Sequence, residues 1–230
     1  MTTDPFENSE TLSAWTSDVL VQRGIQEVAK WRMLEYWMQV ELYRAVEAGH
    51  AGGWRYLGEY EQPYYTKIPR SGRKYNTKWV DMVLAELNLD SPGRVVWIEL
   101  KDVGRSEHTL EPNLKGLGRD LAALYTLNPI KTKEIWMNPP PHAVDKGRQE
   151  EWNFCASALD VDDHLIAQIV IVPQVMVNEV GGQFVSHNWL DSFEKRATVE
   201  STKHGIHIAQ TDRGGFSTFA LVAPLPKDSG

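Results

Sequence analysis

Two acidic residues and one lysine near the middle of the chain have the types and spacing of a metal-dependent hydrolytic site. Glu99 and Lys101 lie two residues apart in residues 94–101, whose alternating pattern with β-branched and aromatic residues predicts a strand. Side chains two apart on a strand share a face, so this carboxylate and this ammonium group are expected to be neighbours. Asp81 lies in residues 78–87, a second predicted strand. Two successive strands therefore each carry a carboxylate.

The segment that joins these strands predicts how the two carboxylates are related. Residues 88–93 combine Asn, Asp, Ser, Pro and Gly, which is typical of a turn, so the two strands form a hairpin. In a hairpin symmetric about Asp90, Asp81 and Glu99 lie opposite each other. Like charges paired across a sheet destabilise it, which favours a cation between them, and oxygen ligands suit Mg²⁺ or Mn²⁺. Lys101 would then orient or deprotonate a water molecule, or neutralise the charge of a phosphodiester transition state.

Asp81, the spacing to Glu99, and Lys101 together resemble the signature of the restriction-endonuclease-like PD-(D/E)xK nuclease superfamily. Val80 stands where the signature has proline. The resemblance implies that Asp81 and Glu99 are Mg²⁺ ligands and that Lys101 is the catalytic lysine. It also implies a core of one helix, a three-stranded meander, a second helix and a further strand (αβββαβ), and about the first 175 residues follow this order.

Many members of this family add a glutamate from the first helix. Glu41 is the predicted third metal ligand and catalytic carboxylate, because it interrupts an apolar helical stripe and burial of its charge requires compensation. Glu35 is the second choice and Glu27 the third. The alternative is that Glu41 lies at the rim of the helix and pairs with Arg44 or Arg32. The stripe comprises Leu34, Met38, Glu41 and Ala45.

The remaining patterns predict one α/β domain over residues 1–230, with a mixed β-sheet flanked by helices. Residues 1–14 are polar and expected to be flexible, the core covers about residues 24–175, and residues 176–230 are C-terminal additions packed on the core. The predicted helices are residues 24–47, 112–127 and 189–196, and the further strands are residues 54–66, 166–172, 205–210 and 216–223.

Charge limits how the protein meets nucleic acid. The formal net charge is −7, so contact with phosphates must come from local basic patches. Residues 64–78 hold five basic and no acidic residues, with tyrosines interleaved for stacking. The predicted nucleic-acid contacts are Arg70, Arg73, Lys74 and Lys78 in this segment, and Lys115 and Arg119 one helical turn apart on a later helix. The alternative for both groups is a solvated surface.

These observations lead to a metal-dependent nuclease that acts on DNA rather than RNA. Two alternatives stay open: a non-catalytic protein of the same fold that serves in an assembly, and an unrelated α/β protein whose Asp, Glu and Lys form a surface salt-bridge cluster. A homodimer is also open, because cleavage of both strands commonly uses two-fold symmetry. The single cysteine, Cys155, excludes an intrachain disulfide and fits a reducing compartment. The chain lacks a signal-peptide pattern and a membrane-length apolar run, so a cytoplasmic location without a membrane partner is expected.

Overall fold

A computed structural model describes residues 4–25, 34–49, 53–57, 62–67, 77–87, 92–103, 107–138, 153 and 155–226. The helices in these residues are α1 (Ser9–Gln22), α2 (Leu34–Glu47), α3 (Glu107–Tyr125), α4 (Pro129–Met137), α5 (Gln174–Val180) and α6 (Gly182–Ala197), with a 3₁₀ helix at Ser201–His204. The strands are β1 (Trp54–Tyr56), β2 (Gln62–Tyr65), β3 (Thr77–Val80), β4 (Met82–Leu87), β5 (Pro92–Asp102), β6 (His164–Pro173), β7 (Ala209–Arg213) and β8 (Phe216–Pro224).

The described strands form a mixed six-stranded sheet and a separate two-stranded ribbon. The sheet has the order β1-β4-β5-β6-β8-β7, and β2 pairs with β3 in the ribbon. β5 and β6 are parallel, with α3 in the connection between them, and the other neighbours in the sheet are antiparallel. The predicted α/β architecture, a mixed sheet flanked by helices, is therefore confirmed.

Helices cover both faces of the sheet, so its central strands are buried on both sides. α3 and α6 pack on one face around Leu121 and Trp189, and α1 and α2 pack on the other around Leu12 and Met38. Trp97 of β5 belongs to the first core and its neighbours in the strand to the second. Both faces of residues 94–101 are therefore buried, because α3 covers the second face. No helix in the described residues is long and apolar enough to cross a membrane.

The predicted hairpin forms, but its first strand is broken at Asp81. Met82 pairs with Ile98, which is the register expected from symmetry about position 90, although a shift occurs nearer the turn. The preceding four residues leave the sheet as β3 and pair with β2 instead. Val80 and Val83 consequently lie in the same core. Met82 and Leu84 lie in the other core, so the break at Asp81 shifts the alternation of the side chains by one residue.

The N-terminal segment is ordered from Asp4, contrary to the predicted flexibility of residues 1–14. Asn8 caps α1 through a reciprocal capping box with Thr11, and Phe6 is buried beneath Trp54. The helix packs on β7 and β8 through a face of small polar side chains, which hides its amphipathic pattern from a hydrophobicity argument. Its buried polar residues are Ser9, Ser13, Thr16 and Ser17.

The bounds of several other helices and strands differ from the predicted ones. α3 begins before the predicted residue 112 and contains Pro112 as its sixth residue, where proline lacks the N–H that continues the helical hydrogen bonding. Residues 54–66 divide into β1 of the sheet and β2 of the ribbon, and the predicted strand 205–210 is displaced to Ala209–Arg213. The helix predicted at 24–47 is described from Leu34 to Glu47, and residues 26–33 lie outside the described residues.

Candidate active site

Asp81 occupies the point where β3 leaves the main sheet. Its Oδ2 accepts a hydrogen bond of 2.6 Å from the backbone N–H of Leu100 in β5. Because β4 begins only at Met82, the carboxylate acts where a neighbouring strand would otherwise supply the acceptor. The backbone carbonyl of Asp81 accepts from the side-chain amide of Gln39 in α2. The position of this buried carboxylate is therefore fixed by β5 and by α2.

Glu99 is a buried acid with an incomplete set of partners. Its side chain is 12% exposed, and its Oε1 lies 3.8 Å from Nζ of Lys101. Its Oε2 is buried and has no hydrogen-bond partner among the described residues. Burial raises the pKa of Glu99 well above its usual value, and the nearby carboxylate of Asp81 raises it further. An unpaired buried carboxylate oxygen destabilises the folded protein, so a cation at this position would be favourable.

Lys101 is held as an ammonium group between two elements. Its Nζ lies 2.8 Å from Oε1 of Glu35 in α2, so the lysine ties the end of β5 to that helix. Burial opposes its charge, but the carboxylates of Glu99, Asp81 and Glu35 raise the pKa of Lys101 above its usual value. A permanently charged lysine stabilises negative charge better than it abstracts a proton, which favours the electrostatic role.

The two glutamates considered on α2 point in different directions. They are six residues apart, which at 100° per residue places them about 120° apart around the helix. Glu35 faces the end of β5 and reaches Lys101, whereas Glu41 faces α1. There Glu41 pairs with Arg44 Nη1 at 2.8 Å and with Arg23 Nε at 3.5 Å. The structure thus brings Glu35, rather than the preferred candidate Glu41, to Lys101; residues 27 and 32 lie outside the described residues.

The β2–β3 ribbon and α3 add three residues on the other side of Glu99. Tyr64 and Lys78 are cross-strand neighbours in the ribbon, and Lys78 Nζ lies 3.2 Å from Oδ1 of Asp120 in α3. Tyr64 is buried, and its pKa is raised by burial and then by the charges of Glu99, Asp120 and Asp81. Lys78, predicted to contact nucleic acid, is instead an ion-paired residue with 13% of its side chain exposed.

The charged residues around Glu99 include more carboxylates than lysines, which favours the binding of a cation. Asp81, Asp120 and Lys78 act on Glu99 together with Lys101, and Glu35 acts on Lys101. Carboxylates therefore outnumber lysines by two in this group. In the described residues, no set of three or more His, Cys, Asp and Glu side chains could hold a metal. One or two carboxylates can nevertheless bind Mg²⁺ where the ion keeps several waters and contacts substrate phosphates.

The other predicted nucleic-acid contacts have different positions. Arg119 extends beside Asp120, with Nε 3.7 Å from its Oδ1, and so lies next to the group around Glu99. Lys115, one turn earlier on α3, pairs with Glu111 at 2.7 Å on the exposed surface. Arg70, Arg73 and Lys74 lie outside the described residues.

Most aromatic residues around the candidate site are buried or packed against other residues. Trp97 is fully buried and donates its indole N–H to Nδ1 of His164 at 3.3 Å. Trp79 is partly exposed, on the ribbon face opposite the one that carries Lys78. Tyr64 is buried and Tyr65 lies beneath the ammonium group of Lys131, so neither matches the predicted role in stacking.

Sequence reasoning missed Tyr64 and Asp120 as neighbours of Glu99. Asp120 interrupts the edge of the apolar stripe on α3 beside Leu121, and this is the only sequence signal for it. Tyr64 carries no such signal, because its position depends on the fold of the ribbon.

The arrangement places two carboxylates and a fixed ammonium group at the end of the sheet where β5 finishes. Such a combination can bind a hard cation and stabilise an anionic transition state. No protein-family model, no curated protein and no solved structure matches this chain.

Proposed function

We propose that the protein is a Mg²⁺- or Mn²⁺-dependent nuclease with a restriction-endonuclease-like core. The observation that carries the proposal is the buried, unpartnered Oε2 of Glu99 beside the fixed carboxylate of Asp81 and the ammonium group of Lys101. A divalent cation would satisfy this oxygen and offset the surplus of negative charge.

The order of the elements supports the same proposal. α2 is followed by β1, β4 and β5, which form an antiparallel meander, and α3 then leads to β6, parallel to β5. This is the αβββαβ order implied by the resemblance, with the β2–β3 ribbon inserted after the first strand. Asp81, directly before β4, and Glu99 of β5 both lie at the end of the meander where β5 finishes.

In the proposed reaction, Asp81 and Glu99 hold the cation. When bound, it would activate a water molecule and polarise the scissile phosphate. Lys101 stays protonated and stabilises the charge that develops on the phosphate, while Glu35 orients its ammonium group. Gln39 and the backbone N–H of Leu100 keep Asp81 in place.

The substrate in this proposal is nucleic acid, DNA rather than RNA. Arg119 is the described basic residue best placed for a phosphate contact, because it extends beside Asp120 at the rim of the site. A homodimer is a further part of this proposal, since two-fold symmetric dimers are the commonest oligomers.

A non-catalytic protein of the same fold is the second candidate. The contact that favours it is the bond from the N–H of Leu100 to Asp81, since it gives this carboxylate a structural task independent of any metal. The two lysine–carboxylate pairs, Lys78 with Asp120 and Lys101 with Glu35, also stabilise the cluster without substrate.

A cleavage assay separates the two candidates. Purified protein is incubated with plasmid, linear duplex and single-stranded DNA and with RNA, with Mg²⁺, Mn²⁺ or EDTA. We expect metal-dependent cleavage that Glu99→Gln and Asp81→Asn abolish. Asp160→Asn is the matched control, because it removes an exposed carboxylate that pairs only with Lys133 among the described residues. Absence of cleavage with every substrate and metal, or cleavage unchanged in Glu99→Gln, would contradict the nuclease proposal.

A further inference from the structure

α2 carries two exposed tyrosines immediately beside the residues that it directs to the candidate site. Tyr36 is 62% exposed and Tyr43 is 36% exposed. Other large aromatic residues, including Trp54, Trp97, Trp136 and Trp189, are almost fully enclosed, whereas Trp79 and Phe184 are also exposed. Single exposed apolar residues are common on protein surfaces, but two on one helical column next to a polar site form a pattern.

Helix geometry relates this column to the site. Tyr36 and Tyr43 are seven residues apart, so they lie within about 20° of each other and about 10 Å apart along the helix. Both lie within about 60° of Gln39, whose amide binds the backbone carbonyl of Asp81. Glu35, the partner of Lys101, directly precedes Tyr36. Tyr36 therefore lies next to the site, and Tyr43 lies farther along α2, toward β1. There the ring of Tyr43 packs edge-on against the ring of Tyr56, with the two ring centroids 4.7 Å apart.

The chemistry of these neighbours selects the ligand. A molecule that presents a phosphodiester to Lys101 and planar rings to Tyr36 and Tyr43 is a polynucleotide. Bases in an intact duplex stack on one another and expose only their edges, whereas unpaired bases offer their faces to aromatic side chains. Stacking also supplies affinity without positive charge, which suits a chain with a formal net charge of −7.

Resting on the proposed nuclease function, we propose that Tyr36 and Tyr43 form a stacking surface for unpaired bases, so that the site acts on single-stranded nucleic acid or frayed ends rather than on intact duplex. A nucleic-acid strand bound in this way crosses α2, with its phosphodiester backbone directed to Asp81, Glu99 and Lys101. This surface is on the face of the sheet covered by α1 and α2, opposite the face covered by α3 and α6.

Binding of a fluorescent oligothymidylate of about 12 nucleotides tests the proposal, with Ca²⁺ in place of Mg²⁺ to suppress cleavage. A hairpin duplex of similar length is the comparison. The Tyr36→Ala, Tyr43→Ala double variant is expected to bind the oligothymidylate roughly 10- to 100-fold more weakly and the duplex unchanged. Tyr36→Phe, which keeps the ring, should retain affinity, and Tyr36→Trp should raise it. Phe184→Ala, which removes a 38% exposed aromatic residue from α6, is the matched control and should change neither affinity.

The outcomes distinguish this inference from the proposed function. If the double variant and the wild type bind oligothymidylate equally, or if the tyrosines instead control self-association in sedimentation, the stacking surface is refuted, even when the wild type cleaves DNA. If the wild type binds through the tyrosines but cleaves nothing with Mg²⁺ or Mn²⁺, the stacking surface is supported and the nuclease proposal fails. The phenylalanine and tryptophan variants keep the test decisive if the alanine variant does not fold.

Discussion

Alanine substitutions at two glycines of α3 should change the free energy of unfolding in opposite directions, because only one of the two glycines lies against α6. A Cβ atom added at Gly118 would lie 2.5 Å from the backbone nitrogen of Phe193 and 2.6 Å from the carbonyl oxygen of Trp189. Ordinary contacts are about 3.5–4.0 Å, so the helices must separate by roughly 1 Å. At Gly116 the nearest atom to an added Cβ is the terminal nitrogen of Arg119, at 4.0 Å, so the same substitution fits without movement.

The expected magnitudes follow from two opposing effects. Alanine in place of glycine in a helix stabilises by about 1 kcal/mol, which is the whole effect expected for Gly116→Ala. At Gly118 overpacking costs about 1–3 kcal/mol, and the upper end applies because two of the close atoms belong to the backbone of α6. Gly118→Ala should therefore lower the free energy of unfolding by about 2 kcal/mol, giving a difference of roughly 3 kcal/mol between the two variants.

Urea unfolding measures this difference as opposite shifts of the midpoint at an unchanged slope. The displacement should also reach the candidate site. Trp189 of α6 donates to Oε1 of Gln168 at 2.8 Å, and Gln168 is the β6 partner of Glu99 in the sheet. We therefore expect Gly118→Ala, but not Gly116→Ala, to weaken Mn²⁺ binding. A Gly118→Ala protein as stable as the wild type would refute the close packing of α3 on α6.

Three further predictions concern the site and its support. Lys101→Met should lose at least tenfold in single-turnover cleavage while keeping affinity for substrate in Ca²⁺, because its charge acts mainly in the transition state; equal rates in both proteins would exclude the electrostatic role. Glu99→Gln should leave the metal-free protein equally or more stable, because it removes an unpaired buried charge, and should abolish Mn²⁺ binding in calorimetry; a large loss of stability would contradict the unpaired state of Oε2. Burial lowers the pKa of His164, whose Nδ1 accepts from Trp97, so the native state takes up a proton less readily than the unfolded chain. Stability from this residue should be complete above about pH 6.5 and fall as the pH drops below it; His164→Gln should remove that part of the pH dependence in urea unfolding.

The relation between Asp81 and Glu99 could be predicted because it depends on local sequence. The turn predicted around residue 90, of which residues 88–91 lie outside the described residues, implies a register for the hairpin, and the observed pairing of Met82 with Ile98 agrees with it. The break at Asp81 was not predictable, because it follows from pairing of β3 with β2, a partner distant from Glu99 in sequence.

The choice between Glu35 and Glu41 shows a second limit of prediction from sequence. Glu41 lies within the apolar stripe of α2 and Glu35 lies beside it, and the sequence does not fix how that helix is rotated against its neighbours. Packing of α2 on both α1 and β5 sets this rotation and turns Glu41 toward Arg23. The neighbours Tyr64 and Asp120 likewise depend on the ribbon and on α3 meeting at β5, which no local pattern encodes.

The hydrogen bond from the N–H of Leu100 to Asp81 has a consequence for how relatives of this chain should be interpreted. If the proposed activity were lost, an aspartate that completes the hydrogen bonding of the sheet would remain under selection. An inactive descendant would therefore retain Asp81 while Glu99 and Lys101 drift, since they make no comparable backbone contact among the described residues. Activity in a homologous sequence should be inferred from the glutamate and the lysine rather than from the aspartate. For the same reason asparagine, which keeps an acceptor for this N–H, is the appropriate substitution for an inactive protein, and alanine would lower activity and stability together.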